Sequence, residues 1–189
     1  MREGATTWLR EPDEATLPGE VRALWVRPLE KLGFVPNVLR VFALRPSHLL
    51  RWNEHFEELM TGDSGLTKVE REMIAVVVSV ANRCTYCIAA HSAALRKLSR
   101  DPELADAVAR DHRTARLDPR MQAVLEYALK LTLTPAEMSE DDVQALRQAG
   151  LSDEDIMDAA EVTAMFNFTN RMASGLGWVP NPEYEALGR

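Results

Sequence analysis

A chain of 189 residues, 46% apolar and 27% charged, is long enough to bury a hydrophobic core and too apolar to stay disordered. Its net charge of −7 and pI of about 5.2, with basic residues scattered, exclude the footprint of a nucleic-acid binder or of a protein that docks on anionic membranes. The longest apolar block, Met73 to Val78, falls far short of the roughly 18 residues that span a bilayer. The first twenty residues carry charges throughout and lack the apolar stretch of a signal peptide, so a cytoplasmic protein is expected.

Helical punctuation recurs along the chain. The reading in order is helices near 19–32, 37–45, 47–60, 67–82, 85–99, 102–111, 119–132, 140–149 and 153–173. Pro28 should kink or split the first of these. Leu49, Trp52, Phe56, Leu59 and Met60 form one apolar stripe at helical spacing, and Met121, Val124, Leu125, Ala128 and Leu131 form another. "TGDSG" at 61–65 is the clearest loop. Thr67-x-x-Glu70 has the form of a capping box; Ser139-x-x-Asp142 and Ser152-x-x-Asp155 are looser versions. Asp101-Pro102 and Asp118-Pro119 each offer an Asp N-cap followed by Pro at the first helical position. The β-branched run "IAVVVSV" would suit a strand, but its capping box and its continuation to Asn82 favour a buried helix. No hairpin signal appears. The expectation is a single all-α domain with its core over about 17–177, and a tail over 178–189 whose Pro180 and Pro182 keep it on the surface.

Both cysteines of the chain lie in "EREMIAVVVSVANRCTYCIAAH", residues 70–91. In a cytoplasmic protein they are poor candidates for a permanent staple, and a loop this short would restrain little chain. If a helix starts near Thr85, then Cys84, Cys87 and His91 sit at about 0°, 300° and 340° around its axis, on one face. Cys87 and His91 form an i,i+4 pair whose side chains can touch. At a helix N-terminus the free N–H groups and the dipole favour a thiolate, and a neutral imidazole one turn on can take a thiol proton.

On one straight helix Glu72 would be roughly 18 Å from Cys84, too far to act. If the chain turns near Arg83 and the two helices run antiparallel, Glu72 comes level with about residue 94 and can polarise His91. Glu70 is already explained by capping. Three readings of the cysteines stay open on these residues: a redox pair; zinc held by Cys84, Cys87 and His91 with Glu72 or His112 as fourth ligand; or two small buried side chains. His48 and His55 share a helix face without acidic or thiol company and are read as surface or packing residues. Asn167, Asn170 and Arg171 are read as structural.

"EREMIAVVVSVANRCTYCIAAHSAAL" resembles the core motif of the AhpD-like alkylhydroperoxidases, within the carboxymuconolactone decarboxylase superfamily: Glu, eleven residues, Cys-x-x-Cys, three residues, His. "LGFVPNVLRVFALRP" at 32–46 and "FNFTNRMASGLG" at 166–177 resemble the flanks of its peroxidase-related subgroup. The resemblance implies an all-helical AhpD-like fold and a peroxidase without a bound cofactor. By position, Cys87 matches the peroxidatic cysteine, Cys84 the resolving cysteine, His91 the base and Glu72 the acid that starts a proton relay. It further implies a hydroperoxide substrate, a dithiol reductant such as a lipoyl-bearing protein, and a homo-oligomer. Exposed Trp and Phe residues of the first helices and of "AMFNFTNR" are the candidates for its interface. One departure is visible: Tyr86 stands where better-characterised members carry a second His, and a phenol is a poor base at neutral pH.

Overall fold

The computed structural model describes residues 5–189; the first four residues of the charged opening segment lie outside the described residues. Among the described residues the regular structure is helical: α1 (Gly19–Leu32), α2 (Asn37–Phe42), α3 (Pro46–Thr61), α4 (Lys68–Ala81), α5 (Thr85–Ser99), α6 (Pro102–Asp111), α7 (Pro119–Leu133), α8 (Glu140–Gln148) and α9 (Asp153–Leu176). None of these helices is long and apolar enough to cross a membrane.

Local chemistry accounts for most of these boundaries. Thr67 and Glu70 close a reciprocal capping box at α4, and Ser152 and Asp155 do the same at α9. The Asp142 carboxylate takes the Ser139 N–H at 2.8 Å before α8. The Asp101 carboxylate accepts from the Leu104 amide at 2.9 Å, and that of Asp118 from the Met121 amide at 2.8 Å. Two expectations shift. Arg45 is extended (φ −128°, ψ 80°) because a residue before proline is pushed out of the helical region, so α2 stops at Phe42 and α3 starts on Pro46. α1 runs through Pro28 without splitting, at the expense of the bond that residue 28 would have donated to the Leu24 carbonyl.

α4 is the centre of the fold. Its residues Arg71 to Ser79 are all buried, as befits a helix apolar on every side, and α5, α7 and α9 pack around it. Arg71, the one cation in this stretch, donates to the carbonyls of Leu59 (2.8 Å) and Gly62 (2.9 Å), so it fastens the end of α3. One apolar cluster gathers Leu66, Ile74, Val78, Met121, Leu125 and Phe166 around α4, α7 and α9. A second joins α1–α3 to Cys84, Tyr86, Cys87 and Trp178.

The C-terminal tail runs along the surface and is anchored there by a few buried side chains. Val179 N donates to the Thr6 carbonyl (2.9 Å), and Asn181 Oδ1 accepts from the Asn37 amide (2.7 Å). Arg96 donates to the carbonyl of Tyr184 (2.7 Å), and Trp178 and Tyr184 are buried. The aromatic side chains expected at an interface are also mostly interior. Trp25, Phe34, Phe42 and Phe166 are buried, and Phe168 is the exposed aromatic of "AMFNFTNR". Helical periodicity shows that a residue lies on an apolar face, without showing what covers that face.

Candidate active site

The reversal between α4 and α5 builds the site. Asn82 caps α4, Arg83 adopts the left-handed conformation (φ 53°), and Cys84 N–H bonds to the Ser79 carbonyl at 2.9 Å while Arg83 N–H bonds to that of Val80 at 3.0 Å. This is a Schellman closure with arginine where glycine is usual. The same Cys84 is the N-cap of α5. The end of one helix and the start of the next are thus fused at a cysteine, and α5 folds back along α4.

The fold-back brings Glu72 to His91, with Oε2 and Nδ1 2.8 Å apart. The two side chains are 10% and 13% exposed, so water competes little for this bond. The edge of Phe166 meets the imidazole, ring centres 4.4 Å apart, and limits its rotation.

Both thiols are reduced and buried. The neighbouring Cys87 thiol, more than burial opposes it, lowers the Cys84 thiol to about 6, helped by the Cys87 amide, the Ser174 hydroxyl and the nearby His91. Cys87 is pushed far above the ordinary thiol range, first by the neighbouring Cys84 and then by burial, with the Asn170 amide pulling the other way. Of the two thiols, Cys84 is therefore the more readily ionised.

A cavity of about 730 Å³ opens over this pair. Cys87, His91, Glu72 and Tyr86 line it; Cys84 lies behind Cys87, off the wall. Trp52 and Phe56 of the α3 stripe form part of its lining, as does Tyr184 of the tail.

Tyr86 serves a different end from a second base. Its hydroxyl accepts the Val38 amide at 2.9 Å, and burial, with Tyr184 beside it, raises its pKa well above the phenol range. It pins the start of α2 to the first turn of α5. His112 bonds Glu126 of α7 at 3.1 Å and stands apart from the cysteines, so it is no fourth ligand for them. His48 and His55 are exposed on α3. Asn170, read as structural, does bridge: its amide donates to Ser79 Oγ (3.1 Å) and its carbonyl accepts from Asn82 (3.0 Å), while Asn82 also reaches Asn167 (3.0 Å). Its place beside Cys87 carried no local signal, since position 170 is far from position 87 along the chain.

The helical array around α4 is that of the AhpD-like class of helical folds. Two crystal structures share it over almost the full length. They are the alkylhydroperoxidase AhpD core of an uncharacterized peroxidase-related protein from Ralstonia eutropha JMP134 (42% identity, TM-score 0.94, 98% of this chain and 97% of that one) and an uncharacterized peroxidase-related protein from Silicibacter sp. TM1040 (43% identity, TM-score 0.95, 100% and 99%). The debrominase Bmp8 shares the fold at 18% identity, with TM-score 0.80 over 97% of this chain and 96% of that one. A sequence profile of the carboxymuconolactone decarboxylase family matches residues 46–130. The chain belongs to the carboxymuconolactone decarboxylase family, and so stands among the enzymes of the AhpD and carboxymuconolactone decarboxylase superfamily.

Proposed function

We propose that the protein is a thiol peroxidase that reduces an organic hydroperoxide at Cys87. The observation that carries this reading is the Glu72–His91 bond beside a reduced thiol pair of which Cys87 faces an apolar cavity. His91, oriented by Glu72, takes the Cys87 thiol proton; the Cys87 thiolate attacks the distal peroxide oxygen, the O–O bond breaks, and the leaving alkoxide takes that proton back from His91. Cys87 is then a sulfenic acid. The Cys84 sulfur displaces its oxygen as water, leaving a Cys84–Cys87 disulfide. An external dithiol, of which a lipoyl-bearing protein is one kind, returns two electrons by thiol exchange.

A second assignment of the sulfurs has its own support: the lowered thiol is Cys84. Position favours Cys87, which lines the cavity together with His91 while Cys84 does not. A pulse of one equivalent of cumene hydroperoxide, followed by mass spectrometry, tests both. The reduced wild type should form the intramolecular disulfide. Cys87→Ser should consume no peroxide, and Cys84→Ser should trap a sulfenic acid on Cys87. The mirror-image result would exchange the two roles. Untouched peroxide with two titratable thiols sinks the peroxidase reading altogether. A protein-disulfide exchange enzyme is less well supported, because both thiols lie under the surface where a large disulfide substrate cannot reach them.

A further inference from the structure

The cavity over Cys87 has a polarity that thiol chemistry alone does not require. Its walls are hydrocarbon and aromatic, with Leu24, Leu39, Trp52, Phe56 and Leu98 among them. A volume of about 730 Å³ suits an organic molecule of some size, and hydrogen peroxide would gain nothing from it. One end differs. Lys31, in the last turn of α1, and Lys97, near the end of α5, both line the cavity, and Lys97 Nζ donates to the Lys31 carbonyl at 3.3 Å. Arg27, one turn before Lys31, also lines it but is paired with Glu57 at 3.2 Å. Among the described residues neither lysine has a carboxylate within ion-pair distance. Two uncompensated ammonium groups at a cavity mouth run against the net charge of −7 of the whole chain.

The spacing sets a length. Lys97 is ten residues beyond Cys87 on one helix, about 15 Å along its axis. A ligand that satisfies both ends carries a carboxylate at one end and its reactive oxygen several carbon–carbon bonds away, with hydrocarbon between.

We infer that the cavity takes a long-chain fatty-acid hydroperoxide, with its carboxylate at Lys31 and Lys97, its alkyl chain along the apolar walls, and its –OOH group at Cys87. The inference rests on the peroxidase reading and names its substrate. The balance is that of the proposed cycle: the distal oxygen goes to Cys87, the O–O bond breaks, and the product is the hydroxy fatty acid. Water leaves as the disulfide forms, and the external dithiol is oxidised to restore the two thiols.

The test compares linoleic acid hydroperoxide with its methyl ester, both below their aggregation thresholds, with dithiothreitol as the dithiol. The free acid should have the higher kcat/KM by about five- to ten-fold, the size expected of two solvent-exposed ion pairs, and the ratio should shrink with added salt. Lys31→Glu/Lys97→Glu should collapse or invert the ratio, and the single variant Lys31→Ala should lower it. Arg110→Glu, on the exposed side of α6, should leave it in place. Oleate and methyl oleate, read by quenching of tryptophan fluorescence, probe the same discrimination without turnover. Equal rates for acid and ester, equal binding of oleate and its ester, or a ratio indifferent to the lysine changes would overturn the inference while leaving the peroxidase intact. If neither lipid peroxide nor cumene hydroperoxide is consumed, the peroxidase reading falls and this substrate with it.

Discussion

Among the described residues two histidine–carboxylate pairs occur, and one of them stands beside a thiol. His91 and Glu72 meet at 2.8 Å; His112 and Glu126 meet at 3.1 Å. Their surroundings differ more than their geometry. Glu126 is 47% exposed, and Arg113 also engages its carboxylate, at 2.7 and 3.1 Å. Burial pushes the Glu126 carboxyl up, but Arg113 and His112 outweigh it and hold the group below the usual carboxylate range. Glu72 is 10% exposed, and among the described residues its side-chain partner is His91. The outer pair is an already neutralised clasp that ties the turn after α6 to α7. The inner pair keeps its carboxylate for the imidazole. A His–Glu bond therefore says little about function until its neighbours are known; the cysteines and the cavity distinguish the inner one.

The contrast breaks most sharply at the imidazoles. His91→Gln should lower kcat/KM for peroxide by about 10²- to 10⁴-fold, the range for loss of a positioned proton donor, whereas His112→Gln should leave it within about two-fold. Stopped-flow measurement of disulfide formation checks both. Glu72→Gln keeps the shape but weakens the polarisation of the ring, so a smaller loss of about 10- to 100-fold is expected, together with an altered pH–rate profile. Equal losses from Glu72→Gln and Glu126→Gln would erase the distinction between the pairs.

The thiols sharpen the comparison through pH. Ultraviolet titration of the reduced protein should show one thiolate appearing near pH 6 and the second only far above the ordinary thiol range. The consequence for stability has two signs. The Cys84 value is lowered on folding, from 9.0 to about 6, so its contribution is complete above pH 9 and is lost as pH falls toward about 6. The Cys87 value is raised, so above the ordinary thiol range the unfolded chain ionises where the folded one does not, and stability falls. Relative to Cys84→Ser/Cys87→Ser, the reduced wild type should gain stability as pH rises from about 6 toward 9 and lose it as pH rises further, as read by urea midpoints across pH.

Asn170 ranks next. Its amide is almost fully buried and is satisfied by Ser79 and Asn82. Asn170→Ala strands both partners and should cost about 1–3 kcal/mol in chemical denaturation.

What the sequence made legible is what local chemistry writes. Capping boxes, Asp-Pro starts and helical periodicity placed the helices, and the i,i+3,i+4 spacing put Cys84, Cys87 and His91 on one face. Glu72 was within reach only on the condition of a turn at Arg83. That turn carries no glycine, so its left-handed residue left no compositional mark. Asn170 and Tyr184 arrive at the site from far along the chain, and no period in the sequence encodes such a meeting. Trp52 and Phe56 read only as members of an apolar stripe, because such a face looks the same whether protein or ligand covers it.

The smallest expected effect is the one that most directly isolates the outer pair. Glu126→Gln removes the charge that Arg113 and His112 share, yet leaves an amide that can still accept from either. The Arg113 contact is solvent-screened, so Tm should move by no more than about 2 °C. The peroxide rate should stay within about two-fold, because Glu126 lies on α7 and does not line the cavity. A larger fall in rate without a matching fall in Tm would mean that α7 reports to α4 through the Arg120–Glu70 ion pair, which sits two residues from Glu72. The two pairs would then be coupled, and the inner one could no longer be treated as a self-contained relay.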